Sequence, residues 1–366
     1  MILTLQRELL LKPLQLLAGI VERKQTLPIL SNVLIKLENG QFFIMGADLE
    51  VEMIAKISVD SNEHDRFTVS AGKLMDICRA LPEGAMLDLD HQESKVLIRS
   101  GHSRFTLATL PPEDFPIVEE QKNSTKCKIK KENLFPLLKS TYFAMAQQDV
   151  RYYLNGMLWE FDKKQFHAVA TDGHRMAIAG AQIETVFEQR LQIIVPRKGI
   201  IELLRLLDEA NEIEIEISHN FIRVITSQYI FTSKLIDGRF PEYQRVIPKN
   251  GDKSLVFNRE TLKQALIRTA ILCNEKLRAV CFQFRKDALI LRANNVEQET
   301  AEEKLILQYD QEDFDIVFNI NYLLDVLNVC KAEAVKFILK DSGSSVLIEE
   351  VDGQLDATFV IMPMCL

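Results

Sequence analysis

Leu134-Phe135-Pro136-Leu137-Leu138-Lys139-Ser140-Thr141 sets Leu134, Leu137, Leu138 and Thr141 at i, i+3, i+4 and i+7, the spacing that lines one face of an α-helix. The stripe recurs at Leu10/Pro13/Leu14/Leu17, Leu74/Ile77/Cys78/Leu81, Ile200/Leu203/Leu204/Leu207, Leu262/Ala265/Leu266/Thr269 and Leu323/Val326/Leu327/Cys330. The starts lie 64, 60, 66, 62 and 61 residues apart. One helix-bearing unit is therefore repeated six times, and such repetition constrains the whole architecture.

The units alternate in what precedes them. The first, third and fifth helices follow extended segments ending in an acid: Leu3-Thr4-Leu5-Gln6-Arg7-Glu8, Lys128-Ile129-Lys130-Lys131-Glu132 and Leu255-Val256-Phe257-Asn258-Arg259-Glu260. The others follow Phe67-Thr68-Val69, Ile193-Ile194-Val195 and Ile316-Val317-Phe318. Short polar signatures recur as Ala47-Asp48-Leu49, Thr171-Asp172-Gly173 and Ala293-Asn294-Asn295. The larger period gives three copies, with boundaries expected at 1–120, 121–248 and 249–366. Joints are expected at Pro111–Lys126 and Phe240–Lys253, where Pro and charge suit an exposed connection.

Alternating segments surround the helices. Val33–Met45 reads as a hairpin turning at Asn39-Gly40, and Ala279–Arg292 as another around Arg285-Lys286-Asp287. Each unit reads as strand, helix, then antiparallel strands, giving an α+β fold with helices on one face of the sheets. Pro13 and Pro136 are expected early in their helices.

Hydrophobic residues make up 47% of the chain, charged residues 26%, and the net charge is −8. No apolar run is long enough to span a bilayer, and the first eight residues read as a strand rather than a leader. The six cysteines lack C-x-x-C spacing, so reduced thiols in a cytoplasmic protein are expected, with no metal or cofactor. Net acidity argues against an ordinary basic DNA-binding domain, but not against basic residues gathered on one surface.

Repetition also has a geometric consequence. Three spheres of domain size close around a hole only ~5 Å wide, whereas six leave ~35 Å, enough for a duplex. A head-to-tail dimer would supply six. A stacked, non-encircling scaffold for protein partners is the alternative.

Gln148-Asp149-Val150-Arg151-Tyr152-Tyr153-Leu154-Asn155-Gly156, followed by Ala170-Thr171-Asp172-Gly173-His174-Arg175, resembles the bacterial β sliding clamps of DNA polymerase III. So do Val195-Pro196-Arg197-Lys198-Gly199, Asp237-Gly238-Arg239-Phe240-Pro241 and Val360-Ile361-Met362-Pro363-Met364. The likeness runs from Thr26-Leu27-Pro28-Ile29-Leu30 to the last residue. It implies a homodimeric ring of six domains, helices inside and sheets outside, sliding on double-stranded DNA without sequence specificity. Implied partners are the polymerase III alpha subunit, the clamp-loader delta subunit, and other polymerases and repair proteins carrying clamp-binding peptides. No catalysis is implied.

A basic set lies near the helices, Arg23, Lys24, Lys73, Arg79, Lys139, Arg197, Lys198, Arg205, Lys263, Arg268 and Lys331, with Asp76, Glu202 and Asp325 interspersed. The resemblance assigns DNA contact to Arg23, Lys24, Gln148, Tyr152 and Tyr153, and Lys73, Arg197 and Lys198 of the basic set are expected to join them. It implies a partner-peptide groove of Leu154, Thr171, Gly173, His174, Arg175, Met176, Pro241, Arg245, Val246, Asn319, Tyr322, Ser345, Val360, Met362, Pro363, Met364 and Leu366. Met176 and Cys365 depart from the family's commoner Leu and Arg. It implies a subunit joint in which Lys73, Ile77, Leu81, Phe105 and Leu107 face Ile271, Leu272, Glu299, Glu302 and Glu303 of a second copy.

Asp172 and His174 also admit a reading as acid–base or metal-binding chemistry. No H-E-x-x-H, nucleophile elbow or phosphate loop accompanies them. A structural turn is the expected role.

Overall fold

The computed structural model describes residues 2–21, 27–118, 124–208, 213–249 and 251–365. Six α-helices occur among them: α1 (Arg7–Leu17), α2 (Ala71–Ala80), α3 (Lys131–Thr141), α4 (Arg197–Leu207), α5 (Arg259–Thr269) and α6 (Ile320–Val329). The buried stripes of α1, α3, α5 and α6 are those the spacing predicts. In α4, Leu206 takes the buried place expected of Leu204. Glu8, Glu132 and Glu260 fall in first helical turns, where a carboxylate faces the positive end of the helix dipole. Ser70, Asn258 and Asn319 cap α2, α5 and α6.

Two expectations need correction. Pro13 and Pro136 lie in mid-helix, because α1 and α3 begin at Arg7 and Lys131. Each forgoes a bond to the carbonyl four residues back, at about 3 kcal/mol; Pro13 is buried on the core face of α1. The two joints are not merely exposed connections. Phe115 is buried with Leu34, Met45 and Ala47, and Phe240 and Tyr243 are buried with Leu154, Val169 and Val360.

Among the described residues all four sheets are antiparallel, and one pairing rule builds them. In each third of the chain, the strand before the first helix pairs with the strand after the second. These pairs are Ile2–Gln6 with Met86–Gln92, Thr125–Lys128 with Glu214–Ile217, and Lys253–Asn258 with Ala334–Leu339. Reciprocally, the strand before the second helix pairs with the first strand after the first. Asp65–Ser70 joins Asn32–Glu38, the end of Arg175–Pro196 joins Gly156–Thr171, and Phe314–Asn319 joins Ala279–Arg285. Asn39 and Gly40 both have positive φ, as a two-residue hairpin requires.

The chain forms two compact units, Met1–Lys131 with Lys198–Leu235 and Glu132–Arg197 with Ile236–Leu366. The first contains an eight-stranded sheet, in which Val51–Ser58 pairs with Tyr229–Lys234, and a four-stranded sheet ending at Ser103–Ala108. The second contains a six-stranded sheet, in which Arg175–Pro196 pairs with Asp356–Ile361, and a four-stranded sheet ending at Thr300–Ile306. Ser103–Ala108 and Thr300–Ile306 are thus sheet edges.

Candidate functional site

The second unit holds a partly open apolar cleft built on a tight turn. Asp172 Oδ1 accepts from the His174 and Arg175 backbone N–H groups at 2.9 and 3.0 Å. Gly173 has φ +89°, and a side chain there would strike the Arg151 guanidinium. Arg151 is held by Asp149, whose carboxyl its hydrogen bonds keep at about 2. The turn thus spends its polar groups on itself.

Arg175 forms one wall. Its guanidinium donates to Asp172 at 3.0 Å, Asp325 at 2.5 Å and the Phe143 carbonyl at 2.9 Å, and lies over the rings of Phe143 and Tyr322. Cation–π contact and three acceptors hold it rigid. Asp172 is committed to these donors, and His174 stands near the Asp149 carboxylate that Arg151 already holds. Among the described residues no group of His, Cys, Asp and Glu is arranged for a metal.

Leu154, Met176 and Val360 form a buried floor with Leu158, Val169, Ile178, Phe240 and Tyr243. Met362 donates its N–H to the His174 carbonyl at 2.9 Å, and Met364 to that of Val317 at 2.7 Å. The end of the chain is thereby docked as an extension of Asp356–Ile361. On its surface, Met362 is 45% and Val246 52% exposed. Water is a poor neighbour for both.

Tyr243 holds the opposite rim. Its hydroxyl donates to Glu160 at 3.1 Å, and Glu160, itself buried, also accepts from Arg190 and Gln192. Burial, and then the Glu160 charge, push the Tyr243 hydroxyl to about 12. The short helical turn at Tyr243–Arg245 leaves Pro241, Arg245 and Val246 exposed. Asn319 is the α6 cap, with Tyr322 one turn along, and Ser345 and Pro363 are half-buried. Leu366 lies outside the described residues. Sequence reasoning missed Glu160, Phe143 and the Asp325 contact with Arg175; only Phe240, inside a quoted string, carried a signal.

The DNA-contact candidates are less uniform. Arg23 and Lys24 lie outside the described residues. Gln148, Tyr152 and Tyr153 share one loop, where Gln148 has φ +54° and Tyr152 is 57% exposed. Tyr153 packs on the cleft floor. Arg197 is half-buried, with its guanidinium on the Met145 carbonyl at 3.1 Å. Lys198 is paired with Asp48 at 2.5 Å. Lys73 is exposed beside a cavity of about 410 Å³ that Asp76 and Arg79 also line. Glu202, one of the acids among the bases, is buried against Arg205, and burial raises its carboxyl.

At the sheet edges, Phe105 and Leu107 are half-buried on Ser103–Ala108, and Ile77 and Leu81 lie on or just after α2. In the second unit Ile271 is 76% exposed and Leu272 half-buried. Ile306, which the sequence reading passed over, is 95% exposed. Glu302 and Glu303 already hold Arg292 and Arg268, and Glu299 holds Asn295.

Family models of the DNA polymerase III beta subunit match in order: N-terminal domain at residues 1–119, central at 128–242 and C-terminal at 244–365. The chain belongs to the beta sliding clamps of DNA polymerase III. It is 50% identical to the beta sliding clamp of Pseudomonas putida and 46% to that of Escherichia coli K12, each over 363 residues and 99% of both chains. The clamp structure from Pseudomonas aeruginosa superimposes over all of both chains with TM-score 0.95 at 49% identity. Another clamp from that organism, bound to griselimycin, gives 0.96 at 50% identity, again over all of both chains.

Proposed function

We propose that two copies join head to tail into a six-domain ring that encircles double-stranded DNA and confers processivity by topology, without making or breaking bonds. The carrying observation is that two sheet edges have, elsewhere in the repeat, equivalents that are paired. Val51–Ser58 is completed by Tyr229–Lys234, and Arg175–Pro196 by Asp356–Ile361. In both cases the last strand of a first half-repeat meets the last strand of a second. Ser103–Ala108 and Thr300–Ile306 are the remaining members of these two classes, and a second copy supplies each with its complement.

The repeat also supplies a register. Phe231 lies opposite Met53, and Phe359 opposite Ala177. Phe105 is the equivalent of both phenylalanines, and Ala301 of Met53 and Ala177, since each sits one residue past the same ladder position. Phe105 then faces Ala301 of the other copy, and Arg104 faces Glu302. Opposed charge and apolar neighbours across the joint favour this pairing.

In this reading the domains of the ring are 1–120, 121–248 and 249–366. Lys73, Gln148, Tyr152, Tyr153, Arg197 and Lys198, with Arg23 and Lys24, face the duplex in this reading. Few unpaired cations suit sliding, because each phosphate contact binds without sequence information. The cleft around Met362 and Val246 receives peptides of the polymerase III alpha subunit, the clamp-loader delta subunit and other polymerases and repair proteins, in the cytoplasm.

Loaded protein is expected to stay on closed DNA circles at salt that strips phosphate contacts, and to leave once the circle is linearised. Equal loss from both would favour the non-encircling scaffold. Arg104→Cys with Glu302→Cys, in a Cys365→Ser background, should oxidise to a covalent dimer, since opposed residues in a ladder come within disulfide reach. Ile271→Ala or Leu272→Ala should weaken the dimer by about 2–5 kcal/mol if the side chain is fully covered there. Sedimentation showing an unchanged dimer would remove those residues from the joint.

A further inference from the structure

The cleft does not end at Val246. It continues into an open cavity of about 600 Å³ lined by Arg245, Val246, Ile247, Pro248, Lys249, Gly251, Ile338, Lys340 and Gly343–Ser345. The floor is apolar, from Val246, Ile247 and Ile338; the ionisable side chains of the lining are all basic. Nearby acids offset part of this charge: Glu242 pairs with Arg245 as well as Arg239, and Asp341, hydrogen-bonded to Gly343 and Ser344, lies close to Lys340, while Asp252 is taken by Lys253. Lys249 and Lys340 are exposed and make no ion pair among the described residues. On a chain of net charge −8, lysines gathered at one pocket favour the approach of an acidic segment there.

The geometry points to a partner whose clamp-binding peptide carries acidic residues on one side of its apolar anchors, received by Lys249 and Lys340 while the anchors sit on Val246 and Met362. This rests on the peptide-groove reading above and adds the charge of the partner to it. The occupant is a linear segment, because the cavity shares Val246 with the apolar cleft and adds two exposed lysines to its lining. Ser345 adds a hydroxyl to the same lining. Rim charges of this kind raise association rate and select partners more than they add affinity.

The test uses the full-length protein and three synthetic peptides sharing the same apolar anchors. One has two Asp residues on the amino side, one has them on the carboxyl side, and one has Asn at all four places. Fluorescence anisotropy is read at low and high salt. One acidic peptide should bind tighter than the neutral one, on the order of ten-fold at low salt, and lose that advantage at high salt. Lys249→Glu with Lys340→Glu should erase the advantage and leave the neutral peptide's affinity unchanged. Equal affinity for all three peptides, or an advantage that survives the double substitution, would overturn the proposal while leaving the groove intact. If none of the three binds, the groove reading itself falls, and this inference with it.

Discussion

The same local design occurs once in each unit, and only one copy is left open. In the first unit Asp48 Oδ1 accepts from the Glu50 and Val51 N–H groups, as Asp172 Oδ1 does from His174 and Arg175. Thr232 stands opposite Glu52 where Val360 stands opposite Met176. Phe115, before a Pro, plugs one core as Phe240, also before a Pro, plugs the other. The difference lies in two features. Glu52 is a buried carboxylate that accepts the Val118 N–H at 3.0 Å, so the chain after Phe115 lies across the site. After Phe240 the chain turns into Tyr243–Arg245, held back by Glu160, and Val246 stays exposed. A repeat therefore becomes a cleft when its own linker is tied elsewhere, and closes when a buried acceptor ties the linker down.

The comparison can be broken most forcibly at the plugs. Phe115→Ala and Phe240→Ala should each cost about 3–5 kcal/mol, because each empties a buried aromatic site. Urea denaturation measures that loss, and only Phe240→Ala should also weaken peptide binding. Equal peptide loss in both variants would end the distinction. Truncation after Ile361 should lower peptide affinity by at least ~100-fold while leaving the dimer intact, since a few central apolar anchors carry most of the energy. Undiminished affinity would place the partners elsewhere. Asp172→Ala and Asp48→Ala should each cost about 1–3 kcal/mol by orphaning backbone donors. The first alone should reduce peptide binding, through release of Arg175.

The smallest effect sharpens the closed side. Burial raises the Glu52 carboxyl above its ordinary range. The folded state then holds the proton more tightly than the unfolded state, so stability falls as pH rises from the ordinary carboxylate pKa through the raised one. Glu52→Gln keeps an acceptor for Val118 and removes this dependence. Denaturation midpoints at about pH 5 and about pH 8 should differ less in the variant than in the parent. Parallel curves would show that Glu52 does not control the strap.

Much of the architecture was legible in one dimension. Helical spacing and its recurrence specify six helices, and a strand before each, because apolar periodicity is a local property of the chain. The Asn39-Gly40 turn was readable for the same reason, since positive φ at both positions selects those residues. The mid-helix prolines were misread, because a helix start depends on capping and strand pairing that no single residue announces.

The site was legible mainly through rare strings of residues, and its chemistry was not. Nothing local says that Arg175 spends its guanidinium on Asp325, 150 positions away, or that Lys198 spends its charge on Asp48. Nothing in the pattern of Glu52 distinguishes an exposed acid on a strand from a buried one that closes a cleft. Repeat number, helix faces and turn chemistry were determined by the sequence itself, because they rest on spacings of a few residues. Which charges are paired, which linker is tied down and which end strands of the half-repeats pair within the chain were decided only in the tertiary structure. Each depends on groups brought together from distant positions, where burial and competition for partners set the outcome.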